Sequence, residues 1–406
     1  MTASFENSVA CLGGAGGMGE TLARHLCQSD QVAKLIIADI DADAAARLAG
    51  ELAGAATCEV TATGIDILDG PRLEELLAGV DLVANAAGPF FRLGLPTLQA
   101  AIATRTPYLD ICDDPEPTVE MMALDADAKA AGVGAVIGMG ASPGISNLLA
   151  RRAADCLDEV SDCYTVWPLD VEMPGQGEPP MKSGAGAEVS AAIVHLMEQI
   201  SGTVESVVSG RRVKLPPLES IRLDYPGLGE GTALTVGHPE PVTLHKSLAI
   251  QGRSANAMLV QPSTARFLKS LARDINSGKL TLEQAAQQVI HPGSIRGVLS
   301  AALSFLEKGP GQLPFFFVLL TGVKDGVRKA VGCQATTLPP GMDAVTSIPA
   351  AIALEMLLRK PAPPGIHAPE NVIDANDFLD RLRPYCPGNP GSVDELAPVD
   401  QMELPQ

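Results

Sequence analysis

No stretch of the 406-residue sequence stays apolar for the roughly 20 residues that a membrane helix needs. Runs such as Leu35 to Ala38 and Phe315 to Leu320 have strand length instead, so no bilayer span is expected. Cys11, Cys27, Cys58, Cys112, Cys156, Cys163, Cys333 and Cys386 are scattered without a C-x-x-C pair, and no basic, apolar leader precedes the first apolar run. The expectation is reduced thiols in a cytoplasm. No His/Cys group has zinc-like spacing, so no metal is expected. Positive charge is scarce as well: Lys plus Arg number 29 against 48 for Asp plus Glu, a net charge of -19. Such a surface repels phosphate backbones and anionic lipid, which sets nucleic acid and membrane aside as partners. Internal repeats are absent too.

What is present is enough for two cores. Hydrophobic residues make up 46% and charged residues 19%, values of an ordinary globular chain. From Ser8 to about Ala150, short apolar runs alternate with longer Ala- and Leu-rich segments, the pattern of βα units around a parallel sheet. Strands are expected at Val9 to Leu12, Lys34 to Ala38, Cys58 to Thr63, Leu82 to Ala84, Tyr108 to Ile111 and Gly134 to Ile137. They fit a doubly wound, Rossmann-type α/β sheet. After Arg152 the rhythm stops. Gly- and Pro-rich stretches (Pro174 to Gly186, Leu215 to Pro217, Tyr225 to Gly231) separate isolated strands, so a second, α+β domain is expected. Phe315 to Val323 and Val327 to Gln334 flank Asp325-Gly326, a strong hairpin signal. A helix is expected over Ser347 to Leu358, and a loosely ordered, Pro-rich tail from Pro384.

The first strand runs into Gly13, Gly14, Ala15, Gly16, Gly17, Met18 and Gly19, with a helical run Glu20 to Cys27 behind it. This contains G-x-G-x-x-G. Gly14 permits the tight turn, Gly16 lets a pyrophosphate approach the backbone, and Gly19 lets the helix lie close to the sheet. The helix start offers amides and a positive dipole end to the phosphates. The second strand ends at Asp39, about twenty residues past the loop, where a carboxylate accepts from ribose hydroxyls. Ile40 and Asp41 follow rather than an Arg, so a 2′-phosphate would meet negative charge, which favours NAD while leaving NADP open. Ligands of such sheets lie outside the carboxyl ends of the strands. That edge also carries Asp66 and Ile67, read as an adenine border or as simple capping, then Asn85, Ala86, Ala87, Gly88 and Pro89, and then Asp110. After the sixth strand come Gly140 to Asn147, where Ser142 is either functional or an N-cap.

Taken together, GGAGGMG at 13 to 19, NAAGPFF at 85 to 91, YLDICDD at 108 to 114, GASPGISNLLA at 140 to 150 and PGIHAPENVID at 364 to 374 resemble the saccharopine dehydrogenase superfamily, over nearly the whole chain. That group includes saccharopine reductase and lysine 6-dehydrogenase. With a dinucleotide-binding domain over 1–150, the resemblance implies an inserted substrate and dimerisation domain over 151–342 and C-terminal helices returning to the first domain over 343–385, which leaves the loosely ordered tail over 386–406. Where saccharopine reductases tend to carry an acid before the Pro-Gly, this sequence has Ser142, with Asn147 near it. That looks more like the lysine 6-dehydrogenase branch, in which an amine is oxidised to an imine.

Oxidising such an amine needs a neutral nitrogen, a hydride path to the nicotinamide and an anchor for a substrate carboxylate. Asp113 and Asp114 follow the fifth strand at the correct sheet edge and could hold an ammonium or take a proton, with helix capping as the plainer role of Asp114. His238 and Glu240 form the most distinctive polar cluster of the second domain, although a turn His beside Pro239 is often merely exposed. Phe90 and Arg92 are candidates for the substrate side, Arg92 as a bidentate carboxylate anchor or as a solvated surface residue. The expected activity is an NAD(P)-dependent oxidoreductase acting on a C–N bond of an amino acid, opine or polyamine-like amine. Reductive condensation in the same site, and a non-catalytic dinucleotide-binding regulator, are the alternatives. A homodimer is the default assembly.

Overall fold

In the computed structural model, residues 7–171, 191–290, 300 and 309–405 are described; the stretch Pro174 to Gly186 lies outside them. The chain divides into two compact units, Met1–Leu148 with Pro339–Tyr385, and Leu149–Leu338 with Cys386–Gln406. Among the described residues no helix is long and apolar enough to cross a membrane.

The first unit contains β1 (Ser8–Leu12), β2 (Lys34–Asp39), β3 (Glu59–Gly64), β4 (Leu82–Asn85), β5 (Tyr108–Asp110) and β6 (Gly134–Val136). They pair in parallel in the order 3-2-1-4-5-6, and a seventh strand, Gly365–His367, adds in parallel beside β6. This is the doubly wound Rossmann arrangement, with its switch point between β1 and β4. Val9 to Leu12 and Leu82 to Asn85 are buried throughout, as expected of parallel strands covered by helices on both faces. The helices bury one stripe each. Helix Ala42–Ala53 turns in Ala45, Leu48, Ala49 and Leu52, and is started by Asp41, whose carboxylate accepts from the Ala44 amide at 2.9 Å. Each leucine buried this way contributes roughly 1.5–3 kcal/mol. The C-terminal helix Met342–Arg359 packs on helix Gly17–Leu26, and the Ser347 hydroxyl donates to the Met18 carbonyl at 2.8 Å.

The second unit is built on a mixed sheet. Its main path runs Ser220–Tyr225, Gly229–Thr235, Ser254–Leu259, Glu159–Pro168, Phe317–Lys324, Val327–Gln334 and Val399–Glu403, with the hairpin Val204–Val208/Arg211–Leu215 beside Ser254–Leu259. Among the described strands of this sheet, only Ser254–Leu259 and Glu159–Pro168 pair in parallel. The Asp325-Gly326 turn closes the hairpin with φ of 51° and 76° at its two tip residues, the left-handed pair that matches strand twist. On one face of the sheet Leu234 and Met258 pack with Met197, Leu268 and Leu271. On the other, Tyr225 meets Phe317 edge-on at 5.3 Å, and Gly332 is required there because a Cβ would lie 2.5 Å from the tyrosine ring.

The expected loose tail is corrected by this sheet. Ser392 caps a short helix, Val393–Leu396, and Val399–Glu403 pairs antiparallel with Val327–Gln334. The Arg152 Nε donates to the Ala397 carbonyl at 3.1 Å, and its guanidinium pairs with Asp394. Pro384, Pro387, Pro390 and Pro398 all precede the strand, so none removes a ladder donor from it.

Candidate active site

The site in the first unit starts where β1 ends. Gly13 has φ of 67°, and a Cβ there would lie 2.7 Å from the Ala87 Cα, so the glycine loop and the loop after β4 meet backbone to backbone. At Gly14 a Cβ would lie 2.8 Å from the Cys11 carbonyl oxygen; at Gly19 it would lie 2.0 Å from that of Gly13. Those glycines are demanded by the protein's own packing. Gly16 and Gly17 are not: the first would meet only the Gly13 carbonyl oxygen, at 3.3 Å, and the second nothing within 4 Å. Their glycine character leaves open space on the loop, which suits a bound pyrophosphate. Helix Gly17–Leu26 begins at Gly16 without a side-chain cap, so its first amides are available to an anion.

Asp39, at the end of β2, turns its carboxylate onto this loop, accepting from the Ala15 amide at 3.0 Å and from the Asp41 amide at 3.1 Å. Each oxygen keeps a further lone pair for a ribose hydroxyl. Ile40 beside it is 77% exposed. After β3, Asp66 is exposed and accepts from the Leu68 amide at 2.9 Å. Ile67 is a correction: it points into the core with Leu73 and Leu77, and the apolar residue that stands out is Leu68.

Three more expectations change at the next strands. The Asn85 side chain is buried and spends both ends on the protein, accepting from the Ala87 amide at 3.0 Å and donating to the Tyr108 hydroxyl at 3.1 Å. Half-buried Ala86 and Ala87 and exposed Gly88 and Pro89 follow it. Asp110 is fully buried rather than facing a ligand. One oxygen accepts from the Tyr108 hydroxyl at 2.8 Å, the other from the amides of Cys112 at 3.0 Å and Gly138 at 2.7 Å. Burial outweighs those bonds and pushes its carboxyl up to about 6, and burial also drives the Tyr108 hydroxyl and the Cys112 thiol up. Phe90 belongs to the core, whereas Phe91 is 63% exposed; Phe90 opens helix Phe90–Thr104 on its buried stripe. Arg92 is exposed with no carboxylate partner among the described residues.

Asp113 is half-buried, and Asp114 is buried at the start of helix Pro115–Met122 without capping it through its side chain. Ser142 lies half-buried in the loop after β6. That loop is tied to the C-terminal segment by a pair the sequence reading passed over: Asn147 Nδ2 donates to Glu370 at 2.8 Å, while its Oδ1 accepts from the Gly144 amide at 3.0 Å. Both residues stand in the motifs quoted above, which was the available signal.

In the second unit the turn histidine is buried rather than exposed. His238 is 5% and Glu240 0% exposed, with Nδ1 and the carboxylate 3.5 Å apart. The His238 ring lies 5.4 Å from that of Trp167, whose Nε1 donates to Asn256 at 2.8 Å; Asn256 in turn donates to the Thr165 hydroxyl at 2.9 Å. No sequence signal marked Trp167 or Asn256, because strand register brings them together. None of the cysteines forms a disulfide, and burial holds the Cys11 thiol up at about 12, too high for a nucleophile near neutrality.

Sheet order, glycine loop and strand-end acid together define a Rossmann dinucleotide-binding domain. Residues 9–136 match the family described as the saccharopine dehydrogenase NADP binding domain. Over 98% of this chain and 100% of the other, the fold is similar to that of apo saccharopine dehydrogenase (L-Glu forming) from Saccharomyces cerevisiae, at a TM-score of 0.62 and 15% identity. A short chain dehydrogenase from Mycobacterium smegmatis is similar over 34% of this chain and 77% of its own, at a TM-score of 0.29 and 17% identity. The family match identifies residues 9–136 as an NAD(P)-binding domain of the saccharopine dehydrogenase type, and the likeness to the yeast enzyme shows that the fold is shared along the chain.

Proposed function

We propose that the protein moves a hydride between nicotinamide and a C–N bond of an amino acid, opine or polyamine-like amine, in the manner of the lysine 6-dehydrogenase branch. The observation that carries this is the Asp39 carboxylate bonded to the glycine loop within a domain that matches the saccharopine dehydrogenase NADP binding family. When bound, the dinucleotide supplies the hydride acceptor. The carbon bearing a neutral amine loses a hydride and the nitrogen a proton, which leaves an imine. Gly16, Gly17, Met18 and Gly19 hold the pyrophosphate, and Asp39 with Ile40 takes the adenosine ribose and disfavours a 2′-phosphate, so NAD is preferred to NADP. Candidates for the proton and the ammonium are Asp113 and Ser142 in the first unit and His238 with Glu240 in the second; Arg92 is the candidate for a substrate carboxylate. Assembly as a homodimer and a cytoplasmic location belong to the same reading, and light scattering tests the first.

The direct experiment is a screen of amines and amino acids for NADH production at alkaline pH, with the reverse reaction run on the matching carbonyl compounds plus ammonia or amines. Turnover of one amine class supports the proposal. No turnover in either direction with any of them overturns it in favour of a binding protein.

A further inference from the structure

Behind the crevice between β1 and β4 runs an unbroken line of hydrogen bonds, buried from Asn85 inward and part-buried at its Ala87 end. The Ala87 amide donates to Asn85 Oδ1 (3.0 Å), Asn85 Nδ2 to the Tyr108 hydroxyl (3.1 Å), and that hydroxyl to Asp110 Oδ2 (2.8 Å). Asp110 Oδ1 receives the amides of Cys112 (3.0 Å) and Gly138 (2.7 Å). The directions are forced when Asp110 is ionised. A carboxylate only accepts, so Tyr108 gives it the one hydroxyl proton it has and must accept from Asn85; the Asn85 amide then has a single orientation, with its oxygen toward Ala87. Asn85, Tyr108 and Asp110 are each at most 1% exposed. The line therefore joins the ends of β4, β5 and β6 and terminates at Ala87, the residue against which Gly13 of the glycine loop closes.

Burying a carboxylate is unfavourable, and an apolar side chain would fill the space with less penalty. What an apolar side chain could not do is hold the Asn85 amide in one orientation. We propose that Tyr108 and Asp110 are positioning residues for the cofactor. Through Asn85 they fix the Asn85–Pro89 loop at the distance from the glycine loop that the nicotinamide half of the dinucleotide requires, without touching the ligand. This rests on the dinucleotide reading above and adds to it a group of residues that act at second hand.

The test uses two ligands that need no substrate. ADP carries only the adenine, ribose and pyrophosphate that the glycine loop and Asp39 serve; NADH carries the nicotinamide half as well. Dissociation constants for both are measured with the wild-type protein, Tyr108→Phe and Asn85→Ala, below the lowest melting temperature of the three. The expected result is NADH affinity weakened by about tenfold in both variants, with ADP affinity changed by less than about twofold. Asn85→Ala carries the test alone if Tyr108→Phe does not fold. Equal weakening of both ligands would reduce the line to general scaffolding and overturn the proposal, as would unchanged NADH affinity. A wild-type protein that binds neither ligand would instead overturn the dinucleotide reading, and this proposal with it.

Discussion

The Asp39 carboxylate accepts from the Ala15 amide at 3.0 Å, so the acid that ends β2 is fastened to the loop that follows β1. Its second bond, from the Asp41 amide at 3.1 Å, holds the other oxygen at the same edge. A carboxylate anchored twice is pre-organised for a ribose diol and cannot swing away from a phosphate. NADH should therefore bind more tightly than NADPH, by about tenfold or more, some 1.4 kcal/mol. The double change Asp39→Ser with Ile40→Arg should reverse the order. Fluorescence titration decides it, and equal affinities in the wild type would contradict the assignment.

Gly16 and Gly19 should respond oppositely to added side chains. At Gly16 the backbone is extended, with φ of -80° and ψ of 169°, and a Cβ would meet only the Gly13 carbonyl oxygen at 3.3 Å. Valine fits that backbone. Gly16→Val should melt near the wild-type temperature and lose NADH binding, because its side chain occupies the space left for pyrophosphate. At Gly19 a Cβ would lie 2.0 Å from the Gly13 carbonyl oxygen, so Gly19→Ala should fold poorly. Calorimetry with NADH titration separates the two; a folded Gly16→Val that binds normally would refute the loop assignment.

Asp110 gives a pH dependence whose sign is the reverse of the usual carboxylate. Its folded value is raised, from 3.8 to about 6, chiefly by burial. The folded state thus holds the proton more tightly than the unfolded chain, and stability from this group is greatest below the unfolded value. It falls as pH rises through the folded one. Relative to Asp110→Asn, which does not titrate, the wild type should lose roughly 2 kcal/mol of stability between about pH 4 and pH 7. Urea unfolding of both proteins across that range measures the difference. A constant or widening gap in favour of the wild type would show that the hydrogen bonds, not burial, dominate this carboxylate.

For the chemistry, His238→Ala and Asp113→Ala should each lower turnover with little change in NADH affinity. A group that takes a proton in the reaction typically contributes 10²–10⁴-fold, so a loss on the order of a hundredfold is expected where the residue is the base. Once an amine substrate is known, kcat and NADH titrations on the two variants test the residues separately. Wild-type kcat in either variant removes that residue from the mechanism.

The first unit was legible in the sequence wherever a local rule decides the outcome. Parallel strands buried on both faces must be short and apolar, as Val9 to Leu12 and Leu35 to Ala38 are. A loop that bends sharply, admits a ligand and starts a helix against a sheet must be glycine at several spaced positions, as at Gly14, Gly16 and Gly19. The Asp325-Gly326 tip reads as a hairpin because only such residues accept two left-handed conformations in a row.

Side-chain direction was not legible. Phe90 and Phe91 are the same residue type one place apart, yet helix phase buries the first and exposes the second, and the turn after β3 buries Ile67 while it exposes Leu68. Asp110 sits at the ligand edge of its strand in sequence terms, but the tertiary structure surrounds it with Tyr108, Cys112 and Gly138. Asn147 found Glu370 across 223 residues, and Val399–Glu403 became a strand because Val327–Gln334 offered it a free edge. The sequence by itself determined the parallel sheet, the glycine loop and the acid at position 39, because their causes lie within a few residues of backbone. Which polar groups face a ligand and which serve the protein was decided only by tertiary packing, since a buried polar atom must be satisfied by whatever the fold places beside it.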